Sequence, residues 1–274
     1  PVSADHDRSK TRLIATKGKG YLHALNITDE AGNVFKNAQD KYRQMNKYVE
    51  ILAGLIKHIP ADRLRKIVDM GAGKGYLTFA LADYVQSLGF SVQVTGVEYR
   101  ADLVDLCNNI ARNTGLAHLD FVQGSVADFD STGVSLLIAL HACDTATDDA
   151  IAKGIQAGAD VIVVAPCCHK QIRREMEHGK VSHNLDLLMV HGIFVERQAE
   201  MVTDALRALI LEYFGYTTKV FEFISDAHTP KNVMIVGTKR TESGFRDPAI
   251  LAKIQAAKEF FGITTHHLEK ILGI

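Results

Sequence analysis

Val68-Asp69-Met70-Gly71-Ala72-Gly73-Lys74-Gly75-Tyr76 joins an apolar run (Ile67, Val68) to a helical apolar pattern that follows at once through Leu77, Phe79, Ala80 and Leu81. The first part reads as a buried strand, the alternate glycines as a tight turn, and the rest as a helix. Together they make the first half of a nucleotide-binding crevice. Glycine takes positive φ without a steric penalty and lets the backbone approach a ligand closely. The register departs from the dinucleotide fingerprint. G-x-G-x-x-G needs its third glycine one residue later, whereas this stretch runs Asp-x-Gly-x-Gly-x-Gly. A diphosphate calls for amide donors at the helix N-terminus; an acid just before the turn suits a ligand with positive charge and hydroxyls.

Further strands alternate with helices after this turn. Val92 to Glu98 reads as strand two, and Glu98 falls about 23 residues past Gly75, where a β-α-β unit sets a carboxylate beside ribose hydroxyls. Such a carboxylate accepts from two vicinal hydroxyls. Ala101 to Asn113 reads as a helix, His118 to Gln123 as strand three, and the continuous apolar run Val134 to Leu140 as a central strand covered on both faces. Ala159 to Ala165 is strand five, and Thr145 or Thr147 is placed to cap the helix before it. Phe221 to Ile224 and Asn232 to Thr238 pair as an antiparallel hairpin across Ser225 to Lys231. The expected fold class is α/β: a Rossmann-like, seven-stranded, mostly parallel sheet with an antiparallel last hairpin and an N-terminal helical cap.

Upstream, apolar residues at helical spacing (Tyr42, Met45, Tyr48, Val49, Leu52, Leu55, Ile56, Ile59) mark a helix that Pro60 ends. Lys41, Arg43, Gln44 and Lys47 decorate its other positions, either as a solvated face or as groups turned towards a substrate. Residues 170–195 are longer than a minimal link and read as a lid or binding loop. Glu196 to Phe214 is an amphipathic helix, and the tail holds two short helices, Pro248 to Phe261 and Thr265 to Leu272. The domain boundaries read as 1–60 for the cap, 61–242 for the nucleotide-binding domain and 243–274 for the helical tail.

The 274 residues are 47% hydrophobic and 23% charged, with a net charge of −1, an ordinary globular balance that neither requires nor excludes nucleic acid. No apolar run approaches the roughly 18 residues of a membrane span. Four cysteines, two of them adjacent, make a poor disulfide framework, so a reduced, cytoplasmic setting is expected.

Two polar clusters end the central strands: His141-Ala142-Cys143-Asp144 after strand four and Pro166-Cys167-Cys168-His169 after strand five. Ligands of open α/β sheets sit at such carboxyl ends. The clusters admit three roles: lining groups; a chemical role, with His141 as general base or Cys167 or Cys168 as nucleophile; or a metal site. The adjacent cysteines lack the C-x₂₋₄-C spacing of structural zinc, so no metal is assigned.

The glycine turn resembles that of class I S-adenosylmethionine (SAM)-dependent methyltransferases. The His-x-Cys-Asp-x-Ala-Thr-Asp stretch at His141 to Asp148, the Cys-Cys-His stretch, and Lys41 to Tyr48 resemble a methyltransferase-like family of bacterial and eukaryotic proteins. The first two are also similar to eukaryotic tRNA 2′-O-methyltransferases. The resemblance implies SAM as cofactor, S-adenosylhomocysteine as product, and Asp69, Gly71, Ala72, Gly73, Gly75, Glu98, Tyr99, Leu140 and His141 along the cofactor. Adenine recognition falls to Ser125 with the Val126 backbone, or to Asp128. The acceptor side is His141, Cys143, Asp144, Cys167, Cys168 and His169, with Lys41, Arg43, Gln44, Lys47 and Lys170 towards substrate. RNA is the favoured acceptor over a protein or small molecule; a SAM-binding module without catalysis and a nucleotide-dependent oxidoreductase are the other classes.

Overall fold

The computed structural model describes residues 13–140, 142–179, 186–223, 233–241 and 246–274. Its seven strands are β1 (Lys66–Met70), β2 (Gln93–Glu98), β3 (Leu119–Gln123), β4 (Leu136–Ala139), β5 (Val161–Val164), β6 (Tyr216–Glu222) and β7 (Val233–Lys239). They form one sheet in the order β3-β2-β1-β4-β5-β7-β6. The first five are parallel, while β7 runs antiparallel to both β5 and β6. The strand order reverses between β1 and β4, which opens a crevice above their carboxyl ends.

Period-two alternation sends successive side chains to opposite layers. Leu136 and Ile138 of β4, with Ile67 of β1, face a layer built from α1 (Gly20–Ala24), α2 (Gln39–Ile56), α3 (Tyr76–Ser87) and α4 (Ala101–Asn113). Leu137 and Ala139, with Val68 and Met70, face α5 (Thr145–Ala157), α6 (Lys170–His178), α7 (Gly192–Tyr213), α8 (Pro248–Phe261) and α9 (His267–Leu272). Both layers are apolar, so β1, β4 and β5 are buried almost throughout. The cap packs on α3 through the Tyr21–Phe79 stack, while the tail packs into the opposite layer through Ile254, Ile263 and Leu268. No helix among the described residues is long and apolar enough to cross a membrane.

Several sequence expectations need correction. Residues 170–178 are not a lid loop but helix α6, whose Ile172 and Met176 lie one turn apart and are both buried. Polar positions on every other side of so short a helix masked that stripe. Helix α7 starts at Gly192 rather than Glu196; its first turn exposes Ile193 and Phe194, so no buried pattern marks it. Strand β6 begins at Tyr216, because an edge strand with one mostly exposed run carries polar residues such as Thr217, Thr218 and Lys219. Neither Thr145 nor Thr147 caps α5. Asp144 occupies the N-cap without a side-chain cap bond, Thr145 is the first helical residue, and the Thr147 hydroxyl donates to the Ala142 carbonyl at 2.7 Å. The Ser225 to Lys231 connection and His141 lie outside the described residues.

Candidate active site

The glycine turn is held by its own backbone. Gly71 and Ala72 N–H both donate to the Val97 carbonyl, at 2.8 and 2.9 Å, folding the turn back over β2. Gly75 N–H donates to Ala72, and Gly71, Gly73 and Gly75 all have positive φ (76°, 58° and 71°). A side chain there costs roughly 1–2 kcal/mol per residue in backbone strain alone. A Cβ on Gly75 would lie 2.8 Å from the Phe121 ring, whereas one on Gly73 would meet nothing within 4 Å. The crest of the turn is therefore open, and its base is packed.

Two acids frame the turn. Asp69 is buried at the end of β1 and accepts the Thr78 hydroxyl at 2.6 Å. Burial pushes its carboxyl up to about 6, a rise that the Thr78 bond only partly offsets. Glu98 ends β2 as expected, but its carboxylate is already engaged: Oε2 accepts Gly73 N–H at 2.8 Å, and Oε1 accepts Arg100 N–H at 3.1 Å and Arg100 Nε at 3.3 Å. Burial alone would raise its pKa, but these donors outweigh it and hold the carboxyl below its usual value. A carboxylate has about four acceptor positions, so one remains, and displacing the exposed Arg100 guanidinium frees a second.

The remaining cofactor-side residues are placed unevenly. Leu140 is buried, Tyr99 is 76% exposed, and Val126 packs beside the second apolar layer. Ser125 and Asp128 form a closed local pair, with Ser125 Oγ donating to Asp128 Oδ2 at 2.6 Å and Asp128 N–H donating back to Ser125 Oγ at 3.2 Å. On α2, the basic face is paired within the helix: Arg43 with Asp40, Lys41 with Gln44, and Lys47 with Glu50. Lys41 also lies over the Tyr76 ring, 5.3 Å from its centroid, so α2 reaches the first residue after the turn. Lys170 is exposed at the start of α6.

Above β4 and β5 the three cysteines meet. Cys143 Sγ is 3.3 Å from Cys167 Sγ, which is 3.7 Å from Cys168 Sγ. Burial, then the neighbouring thiols, push the Cys167 thiol up to about 12, so it is protonated at neutral pH rather than poised as a free nucleophile. His169 does not join this set. It is buried, with Nε2 3.1 Å from Asp204 Oδ1, and its Nδ1 has no partner among the described residues.

Asp204 belongs to a network that the sequence reading missed. Arg207 of α7 is 1% exposed; its Nε donates to Asp148 at 2.8 Å, Nη1 to Asp204 at 3.2 Å and Nη2 to the Asp144 carbonyl at 3.0 Å. Asp144 has φ +51° and ψ −118°, a strained conformation for a residue with a Cβ, and its Oδ1 accepts Gln171 N–H at 3.2 Å. The loop after β4, the loop after β5 and α7 are thus tied together by polar bonds. The available signal was Asp204 and Arg207 on the otherwise apolar stripe of Ala199, Val202, Leu206 and Ile210. Gly96 was missed too: a Cβ there would lie 2.5 Å from Phe121, and a glycine inside a strand marks such close approach.

An acid-led glycine turn at the switch point of a sheet ordered β3-β2-β1-β4-β5-β7-β6, with β7 antiparallel, defines a Rossmann-like α/β fold. Residues 40–175 match the family described as "Methyltransferase domain". The glutathione S-transferase C-terminal domain-containing protein of Homo sapiens is 28% identical over 219 residues, covering 72% of this chain and 33% of the relative. Its Xenopus laevis counterpart is 25% identical over 224 residues, covering 74% and 35%. The chain spans about a third of the length of these curated relatives. Among solved structures, it is similar to the Methanococcus jannaschii fibrillarin pre-rRNA processing protein (TM-score 0.43, 15% identity, 70% of this chain and 75% of that one). It is also similar to the Bacillus subtilis M1A22 tRNA methyltransferase TrmK (TM-score 0.42, 14% identity, 72% and 67%).

Proposed function

We propose that this chain is a SAM-dependent methyltransferase that seats its donor over the Gly71–Gly75 turn and receives an RNA acceptor above β4 and β5. One observation carries the donor assignment. The turn amides that would cradle a diphosphate are occupied, two by the Val97 carbonyl, one by Ala72 and one by the Glu98 carboxylate. A carboxylate at the crest repels phosphate and welcomes hydroxyls. SAM carries no phosphate, and its ammonium, ribose and sulfonium suit two acids and an open glycine crest better than a dinucleotide does.

When bound, SAM supplies an electrophilic methyl group. The protein's part is alignment and exclusion of water. Asp69, ionised above about pH 6, favours the donor's positive end, and its hydrogen bond to Thr78 fixes the carboxyl under the turn. Glu98 holds the turn's shape through Gly73 and keeps acceptor capacity for ribose hydroxyls. Cys143, Asp144, Cys167 and Cys168 wall the acceptor side, with His169 buttressing that wall from Asp204. Nitrogen acceptors, which bring their own lone pair, ask least of this wall.

RNA is supported by the resemblance of the His141 to Asp148 and Cys167 to His169 stretches to eukaryotic tRNA 2′-O-methyltransferases, and by exposed Lys170, two residues after Cys168. The α2 cations are paired locally, but exposed pairs of this kind are worth at most about 1 kcal/mol and open readily to phosphate. Labelled SAM incubated with separate RNA and protein pools from cells lacking the gene tests the acceptor. Label in the RNA pool is expected; label confined to protein overturns the RNA assignment.

A further inference from the structure

We propose that Cys143, Cys167 and Cys168 form a binding site for one zinc ion, with three thiolate ligands and a fourth position left open. The three Sγ atoms all lie within 4.8 Å of one another, and two of the separations are 3.3 and 3.7 Å. Zinc–thiolate bonds of about 2.3 Å in tetrahedral geometry place sulfurs about 3.8 Å apart. The thiols therefore already stand near the positions that a single zinc requires. Soft thiolate ligands favour zinc or copper(I) over magnesium or calcium. Three protein ligands with one open position is the pattern of zinc sites that take water or a substrate atom, not of closed structural sites.

Zinc has to displace the proton that burial keeps on Cys167, and two features of the surroundings offset part of that cost. Cys143 lies just ahead of the N-terminus of α5, and Cys167 and Cys168 just ahead of that of α6. Positive helix ends stabilise thiolates. The two ligand-bearing loops are also fixed to each other before any ion arrives. Arg207 holds the carbonyl of Asp144, the residue after Cys143, and Asp204 holds His169, the residue after Cys168. Gln171 N–H bonds Asp144 directly. Supporting bonds of this kind orient metal ligands. Linear zinc patterns miss the site because its ligands come from the loops after two different strands, with Cys143 and Cys167 separated by 24 positions. The zinc assignment replaces the metal-free reading of this cluster and needs no methyl donor.

The test uses the full chain, reduced, stripped with chelator and kept anaerobic. Cobalt(II) titration should give thiolate-to-metal charge-transfer and tetrahedral d–d bands that saturate at one ion per chain and are bleached by zinc. Cys143→Ser and Cys167→Ser should each lose the charge-transfer intensity, while Cys107→Ser, which removes a thiol outside the cluster, should keep it. Because a serine variant can misfold, alkylation of the exposed Cys143 in the wild-type chain is followed as well. Equimolar zinc should slow it at least about tenfold, since a ligated thiolate is withdrawn from reaction. Absence of the cobalt bands, their persistence in Cys167→Ser, or unchanged alkylation of Cys143 overturns the site. A Cys143–Cys167 disulfide that forms on air exposure, with no cobalt band after reduction, also overturns it and marks the pair as a redox couple. SAM binding is measured separately, so a missing metal site and a missing donor site are told apart.

Discussion

The β1–β2 side of the sheet's carboxyl edge and the β4–β5 side are held by different means. At the glycine turn the backbone does the holding, through amides bonded to Val97, Ala72 and Glu98. At the cysteine end side chains do it: buried Arg207 of α7 bonds the loop after β4, and its partner Asp204 bonds His169 of the loop after β5. The first arrangement lies within one β-α-β unit and rests on conformations that glycine adopts freely. The second joins residues from four distant elements and depends on charges that are costly to bury singly. A backbone-built site suits a ligand whose shape is constant, and a side-chain-built one can change its partner without changing the fold.

This contrast predicts unequal sensitivity. Arg207→Ala should have the largest effect, because it leaves Asp148 and Asp204 buried without their cation. Breaking such a pair costs on the order of 3–5 kcal/mol, to be read from urea melts. A loss under about 1 kcal/mol would mean that the cysteine end does not rely on α7.

Asp69→Asn should separate stability from binding. The folded-state pKa, about 6, lies above the ordinary carboxylate value. Protonation therefore favours the native state: that contribution is fully present below about pH 4 and is lost as pH rises through about 6. At pH 7.5 the ionised group costs up to on the order of 3 kcal/mol, so the amide variant should melt higher than wild type there. The difference should vanish by pH 4. SAM affinity should nevertheless fall at least tenfold, about 1.4 kcal/mol. A variant less stable at pH 7.5 would show that the acid is a structural group.

Gly96→Ala comes next, at about 1–3 kcal/mol from overpacking against Phe121, and Phe121→Leu in the same chain should recover part of it. Recovery absent from the double variant would remove Phe121 as the base of the turn. Smallest is Lys47→Ala, expected within about 0.5 kcal/mol in thermal melts because its pair with Glu50 is exposed. A larger loss would show that the α2 face is structural.

The same contrast explains what could be read from sequence. Strands β1, β4 and β5 were legible because parallel strands covered on both faces must be continuously apolar. Helices such as Ala101–Asn113 and Pro248–Phe261 declared both ends. The turn and Asp69 were legible because they are contiguous in the chain, and Glu98 because a β-α-β unit sets the acid ending its second strand at a regular distance past the turn. That Glu98 would bond Gly73 was not, since composition does not say which of two partners a carboxylate takes. At the other end, the meeting of Cys143 with Cys167 followed from two clusters ending adjacent central strands, whereas the bonds of buried Arg207 had no signal beyond a charge on an apolar helix stripe. Edge strand β6 and helix α6 were misread for the opposite reason: each has a local pattern, but one too exposed or too short to stand out.

Calorimetric titration of the full chain with S-adenosylhomocysteine and, separately, with NADH tests the donor assignment most directly. Saturable binding of the adenosyl ligand, weakened by Glu98→Ala, with no heat from NADH, is the predicted result. Binding of NADH without binding of the adenosyl ligand would contradict it and return the glycine turn to the dinucleotide-binding class.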